Sequence, residues 1–338
     1  MSGNLSSLIL FKEILRLGLF FFLLPLGFIF KIFNLRLVYI DESRIGHFLG
    51  DSVALLSFFY EENLIFPVKA PCSPFITQSI DKANNVRVIK SAPIKIITGW
   101  LRNYPIFVLN LSNAFNPVHD FYNFKKIVYK PRFQFSNLDV NVLINETQLK
   151  QVRIRFSKRF GLKPAKIICF NQRSLEHDKD SGSKHLFRNF SNETACILLK
   201  ELEKSSLQVI NLSDIVSKSP NVFNLKQATC SVDDIIFATL ICDLYIGDST
   251  GTTVIAQLKK INSFVYNIFP RNFEITNKHS IAWPVNYASA NNSQEINIAQ
   301  VNLFQTQEHF DFANVRVIAP NKNKVLGSFR NWLIKYSD

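Results

Sequence analysis

The sequence predicts an α/β protein of two domains facing a cleft, preceded by an apolar N-terminal helix that associates with a membrane. Three observations carry this. Short apolar runs alternate with helical stretches through the second half, at 165–170, 193–204, 207–212, 232–242, 243–246, 251–260 and 263–268, the order of a parallel sheet with crossover helices. A less regular version of that order fills the first half. Residues 17–30 are fourteen uncharged, mostly apolar residues between basic neighbours. A single continuous sheet with a long insertion is the other architecture this order allows.

The composition fits such a body. A chain of 338 residues suffices for two ordinary domains or one large one. At 47% apolar and 19% charged it is a folding chain, not a disordered one. The 32 phenylalanines are packing residues, and with common Ile, Asn and Lys they fit a codon bias. A net charge of +13 favours anionic partners such as lipid headgroups, nucleotides or acidic glycans. Nucleic acid is not expected, because the basic residues are scattered and no recognition motif appears. Cys72, Cys169, Cys196, Cys230 and Cys242 lack metal-ligand spacing and read as small buried hydrophobes of a reducing compartment. No His or Cys cluster marks zinc, so no metal is expected.

Lys12, Arg16, Lys31 and Arg36 flank the apolar segment, and Pro25 and Gly27 interrupt it. A span needs about 20 apolar residues. A monotopic or re-entrant anchor, a single span and a helix docked on the body therefore all stay open. Asn34-Leu35-Arg36 offers no small-residue cleavage site, which argues against a signal peptide.

In the first half, strands are expected at 37–40, 64–68, 86–89 and 94–97, with a helix running to 59. Pro71, Ser73 and Pro74 mark a turn. Residues 106–109 read as strand or helix. An amphipathic helix at 147–159 ends in Gly161-Leu162-Lys163-Pro164, which places the domain boundary. The expected division is 1–36 for the membrane segment, 37–160 and 161–300 for two α/β domains, and 301–338 for a tail with an amphipathic helix at 325–336.

Three places can carry chemistry. Residues 245–253 read as a strand, a small-residue loop and a helix start. Gly247 and Gly251 would let a ligand approach the backbone, and the helix start offers N–H groups to phosphate. Ser249, Thr250, Thr252 and Thr253 add hydroxyls. Asp248 suits a sugar hydroxyl or a cap. This is neither a Walker loop nor a Gly-x-Gly-x-x-Gly fingerprint, and an ordinary βα turn uses the same residues. After the strand at 165–170, Arg173 and Arg188 could clamp a diphosphate. In the same loop His185 could meet phosphate or move a proton, and Asn189 could orient a sugar. A solvated charged loop is the plainer reading. After the first strand comes Arg44-Ile45-Gly46-His47, then Asp51. His47 or Asp51 could deprotonate an acceptor hydroxyl, though a lone histidine is more often structural.

Arg44-Ile45-Gly46-His47, His185-Leu186-Phe187-Arg188-Asn189 and Ile246-Gly247-Asp248-Ser249-Thr250-Gly251 together resemble marks of a family of bacterial surface-polysaccharide and lipopolysaccharide glycosyltransferases. The resemblance covers roughly residues 37–270, and its order and spacing carry it more than any one motif. It implies a GT-B-like fold of two Rossmann-like domains, with a nucleotide-sugar in the C-terminal one and the acceptor toward the N-terminal one. Arg173, Arg188 and the loop from Gly247 to Gly251 would lie near the donor, and Arg44 and His47 at the cleft. The chain departs from the family at Asn171 and Ser174, at Asn211 and Ser213, and at Lys260-Ile261-Asn262.

The expected function is metal-independent transfer of a sugar from a nucleotide-sugar co-substrate to a hydroxyl of a lipid-linked or surface polysaccharide. The expected place is the cytoplasmic face of the inner membrane, peripheral or monotopic, against anionic lipid. Another α/β enzyme acting on a nucleotide-sugar or phosphorylated ligand is one alternative. A non-catalytic membrane-associated scaffold in polysaccharide assembly is the other. No surface marks an oligomeric state.

Overall fold

A computed structural model of the chain describes residues 3–102, 104, 107–111, 138–163, 165–172, 192–248, 250–268, 280–289 and 314–337. The chain divides into two compact units, Met1–Ile144 and Asn145–Asp338. Each has its own parallel sheet, which excludes the single continuous sheet.

The first unit runs α1 (Gly3–Ile32), β1 (Leu35–Tyr39), α2 (Ile45–Phe58), β2 (Asn63–Val68), α3 (Pro74–Asp81), β3 (Val86–Lys90), α4 (Ala92–Leu101) and β4 (Val108–Asn110). Its strands lie in the order β3-β2-β1-β4, and every pairing is parallel. The chain builds outward from β1 to β3, then crosses back to β4 on the other side of β1. That reversal makes β1/β4 a topological switch point.

Local chemistry sets two helices that the sequence reading did not find. Ser73 accepts from Ile76 N at 3.1 Å with Pro74 in the first turn, so the expected turn is the start of α3. Ser91 likewise accepts from Ile94 N at 3.4 Å ahead of α4, with a proline in the first turn. Residues 94–97 are therefore helix, not strand. Residues 108–110 resolve to strand.

One side of α1 packs on the body. Phe20, Leu23 and Phe30 sit against Leu101, Phe107 and Val108. Phe20 stacks on Tyr104 with centroids 4.5 Å apart. Among the described residues, no helix is long and apolar enough to cross a membrane.

The second unit runs α5 (Glu146–Phe160), β5 (Ile167–Asn171), α6 (Glu193–Glu203), β6 (Gln208–Asn211), β7 (Val222–Asn224), α7 (Val232–Ile241), β8 (Leu244–Gly247), α8 (Gly251–Leu258), β9 (Asn262–Ile268), β10 (Ser280–Pro284), β11 (Asn286–Ser289), β12 (Val315–Ile318) and α9 (Lys322–Ser337). The order β10-β9-β8-β5-β6-β7 is parallel throughout. Counted within the unit this is 6-5-4-1-2-3, the doubly wound dinucleotide-binding order read from its other edge. β11 and β12 form a separate antiparallel pair.

The boundary falls before α5, sixteen residues earlier than the expected 161. Arg153 on α5 holds Asp243 with both guanidinium nitrogens, at 3.0 and 2.9 Å. The same carboxylate accepts from Ile167 N at 2.8 Å, which fastens α5 to the starts of β5 and β8. An Asn145–Gln148 capping box opens α5, and Gly161 closes it at φ +66°. The amphipathic helix expected at 325–336 is α9. Val325, Phe329 and Trp332 of α9 are buried in one core with Leu198, Phe264 and Ile246.

Candidate functional site

In the second unit the switch point lies between β5 and β8, whose connections leave in opposite directions. Their last residues pair, Asn171 with Gly247, so the two carboxyl ends stop side by side. Both strands are buried along their whole length, which fixes those ends firmly.

A hydroxyl network then shapes the loop into α8. Asn171 Nδ2 donates to Thr250 Oγ1 at 2.9 Å and to Thr252 Oγ1 at 2.6 Å. Tyr245 OH lies 2.9 Å from Thr252 Oγ1 and 3.0 Å from Thr253 Oγ1. Thr253 Oγ1 donates to the Asp248 carbonyl. Burial pushes the Tyr245 phenol up, so it stays a neutral donor. The threonine hydroxyls expected to serve a ligand are thus engaged in holding the loop.

What remains for a ligand is backbone. Thr250 is the N-cap of α8 but makes no side-chain cap, leaving the first-turn N–H groups without one. Gly247 has a different reason from the expected one. A Cβ there would stand 2.7 Å from Tyr245 Cζ, so the glycine makes room for the ring that organises the loop. Asp248 is buried beside these groups, and its charge helps to push the Tyr266 phenol up after burial itself.

Two buried amides at the same sheet edge were not found in the sequence. Gln172 donates to Asn192 Oδ1 at 2.7 Å, while its Oε1 is buried without a partner. Asn267 sits at φ +53° where the β9–β10 register shifts, and its Oδ1 is likewise buried without a partner. Bulges of this kind re-aim a side chain at a site. Only the departure from strict alternation around Asn267 could have signalled it. Asn211, by contrast, is structural. Its Nδ2 donates to Asn224 Oδ1 at 2.9 Å and its Oδ1 accepts from Ser213 N at 2.9 Å. Arg173, His185, Arg188, Asn189 and Ser249 lie outside the described residues.

In the first unit, Arg44 is the N-cap residue of α2 and His47 lies in its first turn, after the carboxyl end of β1. Asp41 is with them. Burial opposes its ionisation, but hydrogen bonds from Ser43 and the fields of His47 and Arg44 together hold its carboxyl below the usual range. Beneath it Glu42 is buried. It accepts from Lys69 N at 2.7 Å and Ala70 N at 3.1 Å and pairs with Lys95 Nζ at 3.1 Å. Lys95 also donates to the Ile40 carbonyl at 2.8 Å, so this pair braces the β1–α2 turn.

Asp51 does not join that group. It is 1% exposed, on the face of α2 packed into the core. Burial and the nearby Asp41 charge raise its pKa well above the usual carboxylate range. A buried, protonated carboxyl cannot meet an acceptor hydroxyl, so Asp51 is withdrawn as a base.

No family model and no curated protein matches the chain. Solved structures do match. The E. coli ADP-heptose LPS heptosyltransferase II is 11% identical over 90% of this chain and 100% of that one, with a TM-score of 0.49. A glycosyl transferase family 9 protein from Veillonella parvula is 12% identical, over 89% and 97%, with a TM-score of 0.49. The E. coli heptosyltransferase WaaC with ADP is 12% identical, over 83% and 99%, with a TM-score of 0.42.

Proposed function

We propose that the chain is a GT-B-like glycosyltransferase. It moves a sugar from a nucleotide-sugar to a hydroxyl of a lipid-linked or surface polysaccharide, at the cytoplasmic face of a membrane. The observation that carries the donor half is the coincidence of the β5/β8 switch point with the uncapped start of α8. A diphosphate placed there meets the first-turn N–H groups and the positive end of the helix dipole. The motif resemblance supplies the sugar and the acceptor.

In this reading the acceptor oxygen forms a bond to the anomeric carbon as the bond from that carbon to the diphosphate oxygen breaks. The leaving diphosphate takes the electron pair, and the acceptor proton passes to His47. Asp41, already held ionised beside it, stabilises the imidazolium that results. Arg44 orients the acceptor side. Arg173, Arg188, the α8 N–H groups and Gly251 neutralise the leaving group, so the step is written without a metal. His185 and Asn189 would contact the donor, and the nucleotide-sugar is a co-substrate rather than a cofactor.

The test pairs binding with turnover. A panel of nucleoside diphosphates is titrated against wild type and His47→Ala. Binding should be equal in both, with turnover lost by about 100-fold or more in the variant. Wild-type turnover in His47→Ala removes the base, and no binding by either protein removes the donor site.

A further inference from the structure

The exposed side of α4 is apolar. Pro93, Ile96, Ile97 and Trp100 fall at i, i+3, i+4 and i+7, and all four face outward. Ile96 is 47% and Trp100 44% exposed. An amphipathic helix normally turns such a stripe inward. Here the inward side is a separate one, with Thr98 and Leu101 buried and Lys95 reaching the Ile40 carbonyl. The stripe is therefore not the remainder of a core.

α1, which packs beside α4 in the same unit, repeats the arrangement. Phe20, Leu23 and Phe30 face the body, while Phe21, Phe22, Phe28 and Ile32 face outward. Phe22 and Ile32 are each 78% exposed. At Phe20, Leu23 and Phe30 the protein covers one side of α1. The other side of that stretch is nonetheless apolar.

We propose that the outer stripes of α1 and α4 form one dock that lies in the plane of an anionic bilayer. Phenylalanine, isoleucine and an interfacial tryptophan suit shallow insertion at the headgroup boundary. The charge fits the same occupant. Exposed Lys31 follows the α1 stripe, exposed Arg102 follows Trp100, and the chain carries +13 overall. Cations beside an inserted apolar face add attraction to anionic lipid. The inference goes beyond sugar transfer. It concerns the first unit alone and needs no turnover to test.

The full chain is mixed with phosphatidylcholine vesicles, with and without phosphatidylglycerol, and the bound fraction is measured by co-sedimentation. The protein should bind the anionic vesicles and bind neutral ones less. Ile96→Ser with Trp100→Ser should lower the partition coefficient by about tenfold or more, and Phe22→Ser with Phe28→Ser by a similar factor. Lipids brominated on the acyl chain should quench the wild-type tryptophan emission, and Trp100→Phe should remove that quenching. Unchanged melting curves and nucleoside diphosphate binding in the variants would show that folding and the donor site are intact. Vesicle binding that ignores the α4 substitutions overturns the dock. So does a concentration-dependent dimer that buries Trp100 without lipid, which would make a second copy the occupant. Failure of nucleotide binding with intact vesicle binding counts against the transfer reading alone.

Discussion

Asp51 is the residue whose chemistry is most sharply set by its surroundings. Its Oδ2 is buried without a partner, and its neighbour Asp41 is kept ionised by Ser43, His47 and Arg44. The native state therefore holds a proton on Asp51 that the unfolded chain releases once the pH exceeds about 4. With more protons bound in the native state, stability falls as pH rises from the unfolded pKa toward the raised native one. Asp51→Asn keeps the shape and needs no proton. Its melting temperature relative to wild type should climb between pH 4 and pH 8. Each unit by which the native pKa is raised corresponds to about 1.4 kcal/mol. Parallel pH profiles for the two proteins would show that the carboxyl is ionised in the native state. The sequence singled out Asp51 for its carboxylate but held no signal for its burial, which depends on which face of α2 meets the sheet. Glu42 and Asp41 were not among the expected site residues.

At the scale of elements, strand and helix order was legible wherever an apolar run had clear punctuation. β5, β6, β8 and β9 and the helices between them follow the expected order because each buried run is short and bounded by polar or small residues. α7 opens on a Ser231–Asp234 capping box. α4 was not legible. Its apolar residues sit at helical spacing on the outer face, so a short run looked like a strand. β7 and β10 are short and flanked by polar residues. α9 shows how far a terminal element can matter. Trp332 is 2% exposed, within 5.8 Å of the Phe264 ring and 6.0 Å of Phe329 by centroid. Trp332→Ala should cost about 3–5 kcal/mol, read as a lowered denaturation midpoint at an unchanged slope. A loss below about 1 kcal/mol would mean that α9 is a dispensable tail.

Across the whole molecule, two parallel sheets each carry a strand-order reversal, and each reversal gathers the polar groups of its unit. In the second unit the groups come from β5, the β8–α8 turn and the β9 bulge, segments up to 96 residues apart from Asn171 to Asn267. That convergence is why single motifs were weak in the sequence while their order was informative. It also gives a ligand a specific footprint. A nucleoside diphosphate at the start of α8 would tie down the first-turn N–H groups and, through Asn171, the end of β5. Backbone hydrogen exchange should then slow over 171–172 and 248–254. At one hundred times the dissociation constant, binding adds about 2.7 kcal/mol to the stability of whatever unfolds with the site. Amides of β1, α2 and β4 should exchange as in the free protein when the nucleotide is present without acceptor. Protection centred on Arg44–His47 instead would move the donor to the first unit and reverse the assignment of the two switch points.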